Sequence, residues 1–251
     1  MKTMVTSADR FHLRYHQVNN GDDTLLFIPG LGGTASWDYL PLVADEAYPS
    51  VRTLLPDLLG TGYSHKPLDY SYTPTAYAEQ LNALLQIEGI GKIHIVAHSI
   101  GCLTALMLVQ QYQGPIEQLI LCEPGPTPFG EELLKTISAK SEAEFAAQGY
   151  ASFIEHVENT ISPIWAGSLR YCLPQYIYRL SKAVLNMDYS ALYSSLPMLP
   201  ARRRTAIYSS QTPPSPSLFD NIIVLENESH FPAYDCPSLL AEALAQAIGF
   251  D

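Results

Sequence analysis

The sequence predicts an α/β fold: an eight-stranded, mostly parallel sheet flanked by helices, with an inserted helical segment. Three observations predict it. Short β-type runs alternate with helix-type runs along the chain, the pattern of strands joined by crossover helices. The inner β-type runs are continuously apolar, as in TLLFI at 24–28 and QLILC at 118–122, which suits strands buried on both faces. From about 125 to 200 the alternation stops and only helical runs remain, too long a stretch for a loop in a compact domain.

Taken in order, strands are expected over 4–11, 12–18, 24–28, 51–55, 92–97, 118–122, 205–209 and 221–225, the first two as an edge hairpin. Thr73 followed by Pro74 reads as a helix start and Gly89 as its stop. A second helix over 100–113 is ended by Gly114 and Pro115. Asp235 and Pro237 open a C-terminal helix carrying the run LLAEALAQAI. Between 125 and 200 the helical runs are broken by Gly149, Pro163, Gly167 and Pro174, and aromatic residues are frequent. This predicts a core of residues 1–124 and 201–251 carrying a helical lid over 125–200.

Composition narrows the partners. The 251-residue chain has 47% hydrophobic and 16% charged residues, enough for a sizeable core. Its 14 Lys and Arg against 25 Asp and Glu give a formal net charge of −11, which argues against nucleic acid or an anionic membrane surface. The basic cluster Arg202-Arg203-Arg204 is too short to reverse this and reads as a solvated lead-in to the next strand. The first sixteen residues hold no apolar core of signal-peptide length, and no run approaches the ~20 apolar residues of a spanning helix. Cys102, Cys122, Cys172 and Cys236 lack metal-type spacing and are expected to be reduced thiols in a cytoplasmic protein. No ligand cluster or dinucleotide fingerprint implies a metal or organic cofactor.

The stretch IHIVAHSIGC, residues 93–102, carries the chemistry. A buried strand runs into Ala97-His98-Ser99-Ile100-Gly101 and a helix follows at once, close to the G-x-S-x-G elbow. A serine on such a sharp turn needs small residues two positions either side, because they crowd the backbone. Ala97 stands where the first glycine is usual. The following helix turns its N-terminal N–H groups toward the site.

On these residues the chain resembles the α/β-hydrolase superfamily, and the likeness extends over essentially its whole length. Leu26-Phe27-Ile28-Pro29-Gly30-Leu31-Gly32-Gly33 sits where that family has a strand and its oxyanion loop, with Pro29 in place of the usual histidine. Carried over by position, the oxyanion donors are the backbone N–H groups of Leu31 and Ile100. Pro56-Asp57-Leu58-Leu59-Gly60-Thr61-Gly62-Tyr63-Ser64 resembles the family's D-x-x-G-x-G-x-S loop, in which Asp57 supports the site. Glu228-Ser229-His230-Phe231-Pro232 matches the family's late histidine, which makes His230 the expected general base. The remaining histidines, His98 among them, are expected to be ordinary core or surface residues.

The acid is the departure. Most family members place an aspartate after the seventh strand, but Ser210-Gln211-Thr212-Pro213-Pro214-Ser215-Pro216 holds no carboxylate. Asp220 opens the last strand, while His230 lies past its far end, roughly 20 Å away at about 3.3 Å per extended residue. Glu123 follows the sixth strand and emerges at the same sheet edge as Ser99. Certain haloalkane dehalogenases of the family take their acid there, and Leu121-Cys122-Glu123-Pro124 resembles that arrangement. Glu226, Glu228 or a bare Ser–His dyad are the alternatives.

The resemblance implies a serine hydrolase forming an acyl-enzyme on Ser99, acting on a carboxylic ester, thioester or lactone. A serine at the elbow disfavours dehalogenase and epoxide hydrolase chemistry, which needs an aspartate there. Lid aromatics, Tyr150, Phe153 and Trp165 foremost, are expected to line an apolar substrate pocket. Two other readings are a small-ligand binding protein with little turnover, and a carbon–carbon bond hydrolase or lyase using the same serine and histidine.

Overall fold

Side chains alternate across each central strand, and the two faces of the sheet gather two separate cores. Leu26, Ile28, Ile95, Ala97, Leu119 and Leu121 point to one face, while Leu25, Phe27, Val96, Ile120 and Cys122 point to the other, the period-2 pattern of strands covered on both sides. Each fully buried Leu or Ile among them contributes roughly 1.5–3 kcal/mol. The computed structural model describes residues 1–6, 10–210 and 216–249.

The sheet runs β1 (Lys2–Val5), β2 (His12–Val18), β3 (Thr24–Ile28), β4 (Arg52–Asp57), β5 (Ile93–His98), β6 (Ile116–Cys122), β7 (Ala201–Ser209) and β8 (Asn221–Leu225) in chain order. In space the order is β1-β2-β4-β3-β5-β6-β7-β8. The β1–β2 and β2–β4 pairs are antiparallel and all others parallel. The first strand ends earlier than the expected 4–11, and residues 7–9 of that expectation lie outside the described residues. The chain passes from β3 to β4 on one side and then crosses to β5 on the other. Ligands of such sheets bind at the strand C-termini beside this reversal.

Helices α1 (Ala35–Asp38), α2 (Leu40–Val43), α3 (Pro74–Ile87) and α4 (Gly101–Gln111) punctuate the first half. The side chain of Thr73 caps α3 by accepting the Ala76 N–H at 3.1 Å, as the Thr-Pro pair predicts. Between β6 and β7 come α5 (Pro128–Ser138), α6 (Glu142–Glu144), a π turn (Phe145–Gly149), α7 (Tyr150–Thr160), α8 (Pro163–Leu169), α9 (Pro174–Leu185) and α10 (Tyr189–Ser194). Short α11 (Pro232–Asp235) and α12 (Pro237–Ile248) follow β8. The stretch expected to be helical is therefore helical, with no strand among its residues.

One expectation is corrected. Arg202, Arg203 and Arg204 lie within β7 rather than ahead of it. Arg204 is not simply solvated: its guanidinium donates to the carbonyls of Leu196 (2.8 Å) and Leu199 (2.6 Å) and pairs with Asp220. Those carbonyls already accept the Leu199 and Ala201 N–H groups, so the guanidinium adds a second donor to each and ties β7 to the turn before it. Among the described residues, no helix is long and apolar enough to cross a membrane.

Candidate active site

Ser99 follows β5 directly and precedes α4, with φ at 53°. That left-handed conformation is costly for a non-glycine residue and persists only where the surroundings impose it. They do so here through the backbone. Ser99 N–H donates to the Cys122 carbonyl at the end of β6 at 3.0 Å, and Gly125 N–H donates back to the Ser99 carbonyl at 3.2 Å. Gly101 is the small residue the turn demands, since a Cβ there would stand 2.3 Å from the Pro29 carbonyl oxygen.

Glu123 leaves β6 with the same kind of backbone, φ 46°. Its N–H donates to the Ile207 carbonyl of β7 at 2.9 Å, and its side chain, 1% exposed, accepts the Ser209 N–H. Two adjacent strands thus end in strained turns that face their functional groups to one spot. His230 arrives from the loop after β8. Phe231 N–H donates to Ser229 Oγ at 2.9 Å and Ser229 N–H to Asn227 Oδ1 at 2.5 Å, which sets the loop's entry into α11.

The structure brings Ser99, His230 and Glu123 together. His230 Nε2 lies 3.1 Å from Ser99 Oγ, and His230 Nδ1 lies 3.8 Å from Glu123 Oε2. The first is a hydrogen-bond distance; the second is ion-pair range, and the contact must shorten to become a hydrogen bond. The other acids are elsewhere. Glu226 and Glu228 are exposed, and Asp220 accepts the Arg204 N–H at 2.8 Å. The proline-rich stretch at 211–215 lies outside the described residues.

Leu31 and Ile100 both border the cavity at Ser99. Neither backbone N–H has a protein acceptor among the described residues. The loop carrying Leu31 is held from the helical segment: Trp165 Nε1–H donates to the Leu31 carbonyl at 2.7 Å, and Gly32 N–H donates to Tyr176 Oη at 3.0 Å. Asp57 is fully buried and accepts Ser36 N–H, Ser36 Oγ–H and Tyr63 N–H, each at 2.9 Å. It joins the loops after β3 and β4. Gly62 makes room for that carboxylate, for a Cβ there would meet Asp57 Oδ2 at 2.3 Å.

The cavity measures about 110 Å³ and is walled mainly by apolar groups, Phe27, Val96, Leu134, Trp165 and Phe231 among them. Of the three aromatics of the helical segment singled out from the sequence, Trp165 lines it. Phe153 stands behind, its ring 6.0 Å edge-to-face from Trp165, and lines a neighbouring cavity. Tyr150 lines neither: it packs on Phe145 and its hydroxyl donates to the Leu169 carbonyl, so its ring braces the helical segment.

Two residues at the site escaped the sequence reading. Asp38 borders the cavity and is buried, which pushes its carboxyl up to about 6. It accepts Thr34 N–H at 2.5 Å and Ser168 Oγ–H at 2.7 Å, tying the loop after β3 to α8. No motif marked it. His98, expected to be an ordinary core or surface residue, instead donates its Nε2–H to the His230 carbonyl at 2.7 Å, and its ring lies 4.9 Å from that of His230. Its place beside Ser99 was the available signal.

Burial, and then the neighbouring His230, push His98 down to about 3. Between there and about 6.5 the unfolded chain's histidine takes a proton that the folded one refuses. The stability is fully present above about pH 6.5 and falls below it by up to about 1.4 kcal/mol per unit. A His98→Gln variant keeps a side-chain donor but cannot titrate. Its melting temperature should drop several degrees less than the wild type's between pH 7 and pH 5; parallel melting curves would remove His98 as the cause.

A model of the alpha/beta hydrolase fold matches residues 23–197. The sequence is 33% identical over 173 residues to "Probable lysophospholipase BODYGUARD 3" of Arabidopsis thaliana, covering 62% of this chain and 35% of that protein. The aligned part thus spans about a third of that curated relative. Among solved structures, an esterase from Exiguobacterium antarcticum superposes with a TM-score of 0.81 at 14% identity, covering 99% of this chain and all (100%) of that one. Haloalkane dehalogenase DbeA from Bradyrhizobium elkani gives 0.76 at 19% identity, with 99% and 97% covered.

Proposed function

The chain belongs to the α/β-hydrolase fold family, and within it we propose that this protein is a serine hydrolase that cleaves a carboxylic ester, thioester or lactone through an acyl-enzyme on Ser99. The observation carrying this reading is that the His230 ring lies between the other two groups, its Nε2 3.1 Å from Ser99 Oγ and its Nδ1 3.8 Å from Glu123 Oε2. A serine nucleophile with a histidine base held by a third group is the arrangement acyl transfer requires.

In this mechanism Glu123 draws the proton of His230 to Nδ1, leaving Nε2 free to accept from Ser99 Oγ–H. Ser99 Oγ attacks the substrate carbonyl as its proton passes to Nε2. The oxyanion that forms takes hydrogen bonds from Leu31 N–H and Ile100 N–H, which supply on the order of several kcal/mol because they are aimed before the charge appears. His230 then gives the proton to the leaving group. Water then attacks the acyl carbonyl as its proton passes to Nε2; the bond to Ser99 Oγ breaks, His230 returns the proton to Oγ, and the acid leaves. The helical segment over 125–200 serves as a lid on the core of 1–124 and 201–251, supplying the Trp165 wall and excluding water. His98 is a positioning residue that fixes the His230 backbone.

The test is hydrolysis of p-nitrophenyl butyrate at neutral pH, with butyric acid identified as product. Turnover well above the buffer rate, lost in Ser99→Ala, is expected. Saturable binding of the ester without turnover would favour the small-ligand binding reading instead. Cleavage confined to carbon–carbon bonds of dicarbonyl compounds would favour the third.

A further inference from the structure

The cavity at Ser99, about 110 Å³, is smaller than the ~300–1,000 Å³ usual for a small-molecule site. A second cavity of about 440 Å³ adjoins it, and Phe129 and Leu133 of α5 line both. Along that helix Phe129, Leu133, Thr136 and Ile137 fall at spacings of three, four, seven and eight residues, with Lys140 just beyond, so they share one face. The opposite wall repeats the pattern with Phe145, Gln148, Ser152 and His156, and Phe153 beside them.

The two walls run in opposite directions. Phe129 and Phe153 mark the end near Ser99, since Phe129 lines the catalytic cavity and Phe153 abuts Trp165, which also lines it. Lys140 and Phe145 mark the far end, where Tyr178 donates to the Lys140 carbonyl and packs 6.0 Å from the Phe145 ring. From Phe129 to the end of α5 at Ser138 this gap runs roughly 14 Å at 1.5 Å per helical residue, with Lys140 just beyond. The π turn at Phe145–Gly149, in which Tyr150 N–H reaches back to the Phe145 carbonyl, forms part of the far wall; such turns recur at functional sites. Phe129 remains 63% exposed despite its size, an apolar ring at the junction that the described residues leave largely uncovered.

We propose that the gap between α5 and α7 binds the distal half of a medium- or long-chain acyl group whose carbonyl sits at Ser99, making esters of such acids the substrate class. The proposal rests on the serine-hydrolase reading. Its apolar walls at Phe129, Leu133, Ile137, Phe145 and Phe153 suit a hydrocarbon chain, and the polar side chains Glu132, Gln148 and His156 lie on the exposed rim.

The experiment compares kcat/KM for p-nitrophenyl decanoate and p-nitrophenyl butyrate, both below their micelle concentrations. Wild type should prefer decanoate by at least tenfold. Ser152 and Gln148 are exposed, so Ser152→Trp and Gln148→Trp can fill the gap without disturbing the core. Each should lower the decanoate-to-butyrate ratio at least fivefold, and because the ratio is taken within one variant, general damage cancels. No preference in wild type, or a ratio unchanged in both variants, overturns the proposal while leaving the serine-hydrolase reading in place. Turnover of neither ester counts against that reading, and the gap is then read by calorimetry. Saturable decanoate binding to wild type that is lost in both variants supports it; no binding to wild type overturns it.

Discussion

Replacing Ser99 or His230 by Ala is expected to lower kcat/KM for p-nitrophenyl butyrate by about 10⁴–10⁶, and replacing both to cost no more than the worse single change. In the proposed mechanism the two groups act as one device. Ser99 Oγ has no nucleophilic strength unless its proton leaves toward the Nε2 atom 3.1 Å away, and His230 has nothing to activate once the hydroxyl is gone. Residual rate would come from the donors at Leu31 and Ile100 and from the apolar walls, neither of which either substitution touches. Steady-state kinetics on the two single variants and the double variant check this. Additive losses would show that the serine and the histidine act independently.

Glu123→Gln is expected to lower kcat by about 10³–10⁴ with the fold intact. Its side chain is buried and accepts the Ser209 N–H, and the amide oxygen of Gln can keep that bond. The amide NH₂ would then face His230 and force Nδ1 to accept, which puts the imidazole proton on Nε2, where it blocks Ser99. Glu123→Asp should recover part of the rate, since the charge returns on a shorter arm. The separation of 3.8 Å at rest is no obstacle, because catalytic hydrogen bonds often tighten only with substrate bound. Kinetics alongside thermal melting decide the matter. Activity within a fewfold of wild type in a folded Glu123→Gln protein would leave a Ser–His dyad.

The sheet was legible because burial on both faces forces unbroken apolar runs, and TLLFI and QLILC say so without context. Ser99 and His230 were legible because the elbow and the late histidine are local patterns. Glu123 was reached by a weaker route, its position at the end of β6, and what holds it there was not readable. The Ser209 N–H and the Ile207 carbonyl come from β7, 86 and 84 residues further along the chain. Asp38 and His98 were missed for the same reason. Their roles depend on Ser168 and on the His230 carbonyl, partners set by tertiary packing rather than by spacing. Tyr150 shows the converse error: an aromatic in the helical segment is as able to brace it as to line a pocket.

The central claim is that Ser99 is an activated nucleophile, and a fluorophosphonate probe tests it most directly. Intact-mass and peptide analysis after brief exposure should show one adduct per wild-type molecule, located on Ser99 and absent from Ser99→Ala. A folded wild-type protein that remains unlabelled, or is labelled at another residue, would contradict the account.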